Sequence, residues 1–171
     1  LLNNAGIMKA EDLGAAPGYL DIAEETIATN LLAPIRLTAA LLPLLRSQAA
    51  STVMTVSSGL AFVPMAMTPP YSATKAAIHS YSMSLRQQLK DTTTQVIEIA
   101  PPYVRTSLMG DRQANDPRAM PLEDFITEVM QILGSQRDVA EVIVERCKPL
   151  RFAAEDGKMD MMFATVNSMH A

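Results

Sequence analysis

The chain is 171 residues long, carries a formal net charge of −4, and is 49% apolar with a single cysteine. One domain with a real core fits that length, so large an apolar share excludes a disordered segment, and the mild acidity offers no footing for nucleic acid. Cys147 alone forms no internal disulfide, which fits a reducing, cytoplasmic setting, while His79 and His170 lie far apart without ligand-like neighbours, so no metal site is expected.

In chain order, the first residues read as the end of a buried strand running into the turn Asn3-Asn4-Ala5-Gly6, with no initiator Met and no signal-peptide pattern. Residues 21–48 carry a helical pattern with Asp21 as N-cap, interrupted by Pro34. Thr52 to Val56 is short, apolar and β-branched, as a buried strand requires. Ser57 to Pro70 is a loop rich in Ser, Gly and Pro; Pro70 suits the first turn of a helix from Tyr71 to Lys90. Val96 to Ala100 reads as a second buried strand, ended by Pro101-Pro102. Thr106 to Pro121 is polar and irregular, Leu122 to Leu133 is helical, Val142 to Val144 is a last strand, and the tail to Ala171 stays ambiguous. Alternating short buried strands and helices imply a parallel sheet covered on both faces. No continuous apolar run reaches about 18 residues, so no membrane span is expected.

The chemistry gathers around Tyr71 and Lys75. Residues four apart on a helix share a face, so the ammonium is expected to favour the phenolate of a side chain whose free pKa is about 10. Such a pair exchanges a proton with a hydroxyl or carbonyl near neutral pH. As an isolated pair they read more simply as a packed tyrosine and a solvated lysine. Ser58, thirteen residues before Tyr71, offers a neutral hydroxyl for a substrate oxygen. Asn30 precedes Pro34 by four residues; proline has no N–H, so the Asn30 carbonyl loses its usual helical donor and is free to bind a water.

Five ordered motifs, Asn3-Asn4-Ala5-Gly6, Thr29-Asn30-Leu31, Val56-Ser57-Ser58, Tyr71-x-x-x-Lys75 and Ala100-Pro101-Pro102-Tyr103-Val104-Arg105-Thr106, make the chain resemble the short-chain dehydrogenase/reductases across most of its first 110 residues. Ser57 to Lys75 and Glu145 to Phe152 are similar to a bacterial subgroup labelled DltE-like. The resemblance implies a doubly wound α/β (Rossmann-like) sheet, of which the sequence holds the portion from the fourth strand onward. The Gly-rich phosphate-binding turn of the N-terminal βαβ half does not occur in it, so little activity is expected of this chain alone. It also implies an NAD(P)-dependent oxidoreductase with Asn30, Ser58, Tyr71 and Lys75 as its catalytic set, Asn30 serving a water relay to Lys75. Cofactor contacts would come from Asn3, Asn4, Ala5, Gly6, Tyr71, Lys75, Pro101, Val104 and Thr106, with NAD and NADP both open because the residue that selects between them is not in the sequence. Pro102 departs from the family's glycine and removes an N–H donor.

By the same resemblance, residues 106–122 form a substrate-covering segment that orders on binding, and a small carbonyl or alcohol compound is the partner. The helices holding Asn30 and Tyr71 would meet a second copy in a homodimer or homotetramer, through small residues such as Ala73, Ala76, Ala77, Ser80 and Ser84. Met65, Met67, Met109 and Met120 are candidate apolar substrate contacts. Two other readings keep the fold: a binding or regulatory protein without turnover, and an epimerase or lyase with a retained cofactor.

Overall fold

A computed structural model of the chain describes residues 1–15 and 18–168; His170 lies outside them. Four parallel strands, β1 (Leu2–Asn3), β2 (Ser51–Val56), β3 (Thr94–Ala100) and β4 (Glu141–Ile143), form one sheet in the order β1-β2-β3-β4. Sequential order with every pair parallel demands a crossover between each pair. The crossovers are α1 (Leu20–Ile27), which runs through a π turn at Ala28–Leu32 into α2 (Ala33–Arg46), then α3 (Pro69–Leu89), then a segment holding α4 (Asp111–Ala114) and α5 (Leu122–Ser135). After β4 the chain closes with α6 (Lys148–Arg151) and α7 (Met159–Ser168).

Side-chain alternation divides the sheet into two faces. Val53 and Val96 pack against Leu85 and Leu89 of α3 and, at the margin, Leu42 and Leu45 of α2. Ile97 and Ile99 point the other way, onto Phe125 and Val129 of α5. Each such side chain, once buried, contributes roughly 1.5–3 kcal/mol of transfer free energy. Helices on both faces give the doubly wound arrangement.

Several boundaries move from their expected places. The first helix starts at Leu20, so Asp21 sits in its first turn, where a carboxylate favours the helix dipole. Pro69 and Pro70 open α3, where the missing N–H groups cost nothing. Leu2 is 53% exposed because β1 lies at the sheet edge, so the opening strand is not buried throughout. Leu20–Arg46 taken as one helical run is, by length and composition alone, long and apolar enough to cross a membrane, its most apolar 18 residues averaging 1.5 in hydropathy. Its apolar residues are interrupted by polar ones, so it holds no continuous apolar run. Here the run packs on β2 and α3, and its Asn30 and Thr38 are buried and hydrogen-bonded across the fold.

Candidate active site

Strand β2 delivers its last residues to one end of the sheet. Ser57 turns inward and its amide bonds the Ile99 carbonyl (2.9 Å). Ser58 follows in extended backbone and caps the short 3₁₀ turn Gly59–Ala61, its Oγ accepting from the Leu60 amide at 3.1 Å. Gly59 is required there by close approach: a Cβ would stand 2.6 Å from Leu150 Cδ1 and 3.3 Å from Cys147 Sγ. The turn therefore presses directly on α6.

Tyr71, in the first turn of α3, is 6% exposed and lines the same cavity as Ser58. Burial pushes the phenol up to about 12, and the neighbouring Ser58 hydroxyl only partly opposes that. This reverses the expected depression by Lys75. Tyr71 packs among Met8, Val63, Met65, Ala153 and Val166, an apolar shell that disfavours the phenolate. The Lys75 ammonium lies 5.4 Å from the ring centroid and donates instead to the Val56 carbonyl at 2.7 Å. Burial lowers Lys75 itself to about 8.

Asn30 sits within the π turn and is 1% exposed. The wide turn accommodates Pro34 without breaking the helix; Ala33 N–H reaches back to the Ala28 carbonyl, five residues earlier. The Asn30 side chain bonds Ile7 twice, accepting from its amide and donating to its carbonyl, both at 2.8 Å, and also donates to Thr74 Oγ1 at 3.3 Å. It thereby ties the segment after β1 to α3. Gly6 lies beside this knot, where a Cβ would be 3.5 Å from Asn30 Oδ1 and 3.6 Å from Lys75 Nζ. Asn3 is buried and donates to Thr38 Oγ1 at 3.1 Å, whereas Asn4 and Ala5 are exposed.

A cavity of about 110 Å³ opens beside Ser58 and Tyr71. Its remaining lining is largely apolar: Met8, Leu60, Met65, Pro101, Pro102, Leu108, Met109, Leu150 and Val166, with Tyr103 and Gln113. Of the four methionines singled out, Met65 and Met109 line it, Met120 belongs to the core under α5, and Met67 packs at the margin of the Tyr71 cluster. Leu60 lies in the Ser57–Pro70 loop, but Leu150 and Val166 were not anticipated, since nothing in the tail's sequence links it to the Ser58 turn. Gln113 was missed as well; its side chain accepts from Met109 N (3.0 Å) and donates to the Val104 carbonyl (2.7 Å) and Thr106 Oγ1 (3.3 Å). Those bonds, with the Val104–Met120 bridge, give residues 106–122 more fixed structure than the irregular pattern suggested.

Pro101 reaches the cavity and its carbonyl accepts from Gly59 N at 2.9 Å. Val104 is directed into the core beside Ile99 and Val144, and Thr106 faces Gln113. Among the described residues, His79, Glu98 and Glu141 bring potential metal-ligand atoms within 4.8 Å of one another. Arg151 already holds both Glu141 oxygens (2.6 and 3.3 Å) and His79 Nδ1 pairs with Glu98 Oε2 at 2.8 Å, so these atoms form a charge network among themselves.

Comparison with known proteins follows this geometry. Residues 1–117 match the short chain dehydrogenase family model. "Uncharacterized oxidoreductase DltE" of Bacillus subtilis is 38% identical over 98% of this chain and 67% of its own length. Estradiol 17-beta-dehydrogenase 2 of Mus musculus is 28% identical over 87% of the chain and 40% of its own length. The fold superposes on a Burkholderia cenocepacia short chain dehydrogenase in complex with NADP (TM-score 0.80, 20% identity, 97% of this chain and 69% of that one). It also superposes on a Sphingobium yanoikuyae short-chain dehydrogenase in complex with NADPH (TM-score 0.76, 22% identity, 100% of this chain and 66% of that one). The chain thus spans about two thirds of the bacterial relative and well under half of the mouse one. With its ordered motifs, its parallel sheet and these matches, the chain belongs to the short-chain dehydrogenase/reductase family of oxidoreductases, on its DltE-like side.

Proposed function

We propose that the chain forms the substrate-binding and proton-transferring part of an NAD(P)-dependent oxidoreductase that interconverts a small apolar carbonyl compound and its secondary alcohol. The observation that carries this reading is the buried Tyr71 phenol, lining an apolar cavity together with Ser58, with Lys75 one turn behind it. The nicotinamide cofactor, when bound, supplies or accepts the hydride at the carbon being reduced or oxidised. A phenol held protonated by burial is loaded to give its proton to a carbonyl oxygen at neutral pH. Ser58 meets the same oxygen with an uncharged O–H that strengthens as negative charge develops there.

Lys75 restores charge balance to Tyr71 after the proton leaves. Its ammonium has three donors, and its hydrogen bond to a described residue goes to Val56, which leaves donors for a ribose hydroxyl. The exposed Asn4 and Ala5, the close passage of Gly6 by Lys75, and the Pro101 turn fit a dinucleotide laid across this end of the sheet. A water on the Asn30 carbonyl, which Pro34 cannot serve as donor, would connect Lys75 to solvent. Both dinucleotides stay open, since the solved neighbours include complexes with NADP, NADPH and NAD.

A second copy of the chain is the expected partner. Ala73, Ala76, Ser80 and Ser84 line the exposed side of α3, close to Met83 at 53% exposure, and Ile27, Leu37 and Leu44 are likewise open on the preceding helical run. Small side chains there permit close helix approach, and the apolar neighbours supply the area.

The test is Tyr71→Phe in a form extended through a complete dinucleotide-binding half, screened with both nicotinamide cofactors against aliphatic ketones. Loss of turnover with cofactor affinity unchanged is expected; turnover equal to wild type would overturn the assignment. The chain without that half should show little activity in the same screen.

A further inference from the structure

We infer that the buried charged cluster centred on His79 and Glu98 is a positioning device, locking the Ser58 turn against the Tyr71 helix; this rests on the acid–base reading above. Glu98 in β3 and Glu141 in β4 are register partners, so two carboxylates stand side by side beneath α3. Glu98 is 0% exposed and its Oε1 has no hydrogen-bond partner among the described residues. Burying such charges is costly unless opposite charges and donors meet them, so a role confined to packing would be met better by apolar side chains.

The groups that meet them come from the elements that build the site. His79 lies four residues beyond Lys75 and eight beyond Tyr71, on the same stripe of α3, and its Nδ1 pairs with Glu98 Oε2 at 2.8 Å. Arg151 of α6 binds Glu141 and reaches Glu155 at 2.8 Å, while Arg86 of α3 adds positive potential at Glu141 and donates to the Val96 and Ala140 carbonyls. Three carboxylates thus face Arg86, Arg151 and His79.

Phe62 connects this cluster to Ser58. It ends the 3₁₀ turn that Ser58 caps, and its ring meets the His79 imidazole edge-on, with centroids 4.8 Å apart at 71°. The Arg151 guanidinium stacks 4.7 Å from the same ring. Gly59, in the same turn, rests on Leu150, next to Arg151. A closed circuit results: Ser58, its turn, Phe62, His79, two turns of α3, Tyr71, and back to Ser58 across the cavity that both line. Removing the His79–Glu98 bond frees both the rotation of α3 and the seat of Phe62, and misplacement of about 1 Å at reacting groups can cost on the order of 100-fold in rate.

The experiment compares His79→Ala, His79→Asn and Glu98→Gln in the N-terminally extended protein, well below each variant's melting temperature. Asparagine places its Nδ2 where the imidazole carries Nδ1, so it can keep the bond to Glu98 while losing the edge-on contact with Phe62. Expected are a fall in kcat of about 10- to 100-fold for His79→Ala with KM for ketone and cofactor within about threefold, a loss of comparable size for Glu98→Gln, and partial recovery for His79→Asn. Wild-type kcat in His79→Ala, or His79→Asn as defective as His79→Ala, would overturn the proposal. So would Zn²⁺ binding at micromolar affinity abolished by both His79 variants, which would make the cluster a metal site. Wild type inert toward every ketone would sink the proposed function alone; the positioning claim would then be read from a crystal structure of His79→Ala, where an unchanged placement of Ser58 against Tyr71 refutes it.

Discussion

The two walls of the cavity are made in different ways. The polar wall (Ser58, Tyr71, and Lys75 and Asn30 behind them) comes from a strand end, a long helix and a π turn, and none of these four residues is more than 8% exposed. Ser58, Lys75 and Asn30 are each fixed by a hydrogen bond to backbone, and Tyr71 by the apolar shell around its ring. The facing wall (Leu108, Met109, Leu150, Val166) is assembled from the loop before α4, from α6 and from α7, and is held mainly by packing, with Met109 N–H also bonded to Gln113; Leu108 remains 36% exposed. Proton chemistry is thus anchored to the sheet, whereas the shape offered to a substrate is set by pieces that can change without moving a proton path.

The largest break in this comparison is expected from Tyr71→Phe, which should lower kcat by about 10²–10⁴ while leaving the apolar wall intact. Ser58→Ala should follow, with roughly 10²–10³ lost from kcat through the missing donor; kinetics that show a KM effect alone would place Ser58 outside the reacting centre. The third contrast is in stability. Lys75 is lowered from 10.5 to about 8 in the folded chain, so between those values the unfolded chain binds more protons and stability rises with pH. Below about 8 the cost of burying the ammonium is fully present, about 3 kcal/mol, so Lys75→Met should be more stable than wild type at pH 7. That advantage should shrink as pH climbs toward 10.5; denaturant midpoints at pH 7 and 10 measure it, and an advantage independent of pH would refute the assignment. The smallest effect belongs to the apolar wall: Met109→Ala should raise KM for an aliphatic ketone about 10-fold and leave kcat within about twofold, since one apolar contact is worth about 1–3 kcal/mol.

Much of the polar wall was legible in the sequence because helical spacing and strand ends determine it. Tyr71, Lys75 and Ser58 required only a period and a turn to be brought together, and Pro34 betrayed the irregular turn at Asn30. The direction of the Tyr71 shift was not legible. It depends on Val63, Ala153 and Val166 packing around the phenol, and two of these lie more than eighty residues away. The apolar wall was hidden for the same reason: Leu150 and Val166 have no local pattern that points to the Ser58 turn. Glu98, in the middle of a strand read correctly as buried, was passed over because its partner His79 looked like an ordinary helix residue.

The five-residue turn at Ala28–Leu32 is equivalent to one extra residue slipped into an otherwise regular helix. The wide turn absorbs that surplus, so deleting one residue there would let the winding run on evenly with α1 and α2 still facing as they do now. Thr26 would stay buried, and the loss would fall on the turn itself, where Asn30 clasps Ile7 through its amide and its carbonyl. A one-residue shortening at this point would therefore loosen the opening segment of the chain at that clasp, although both helices keep their seats and no residue that touches substrate had been altered.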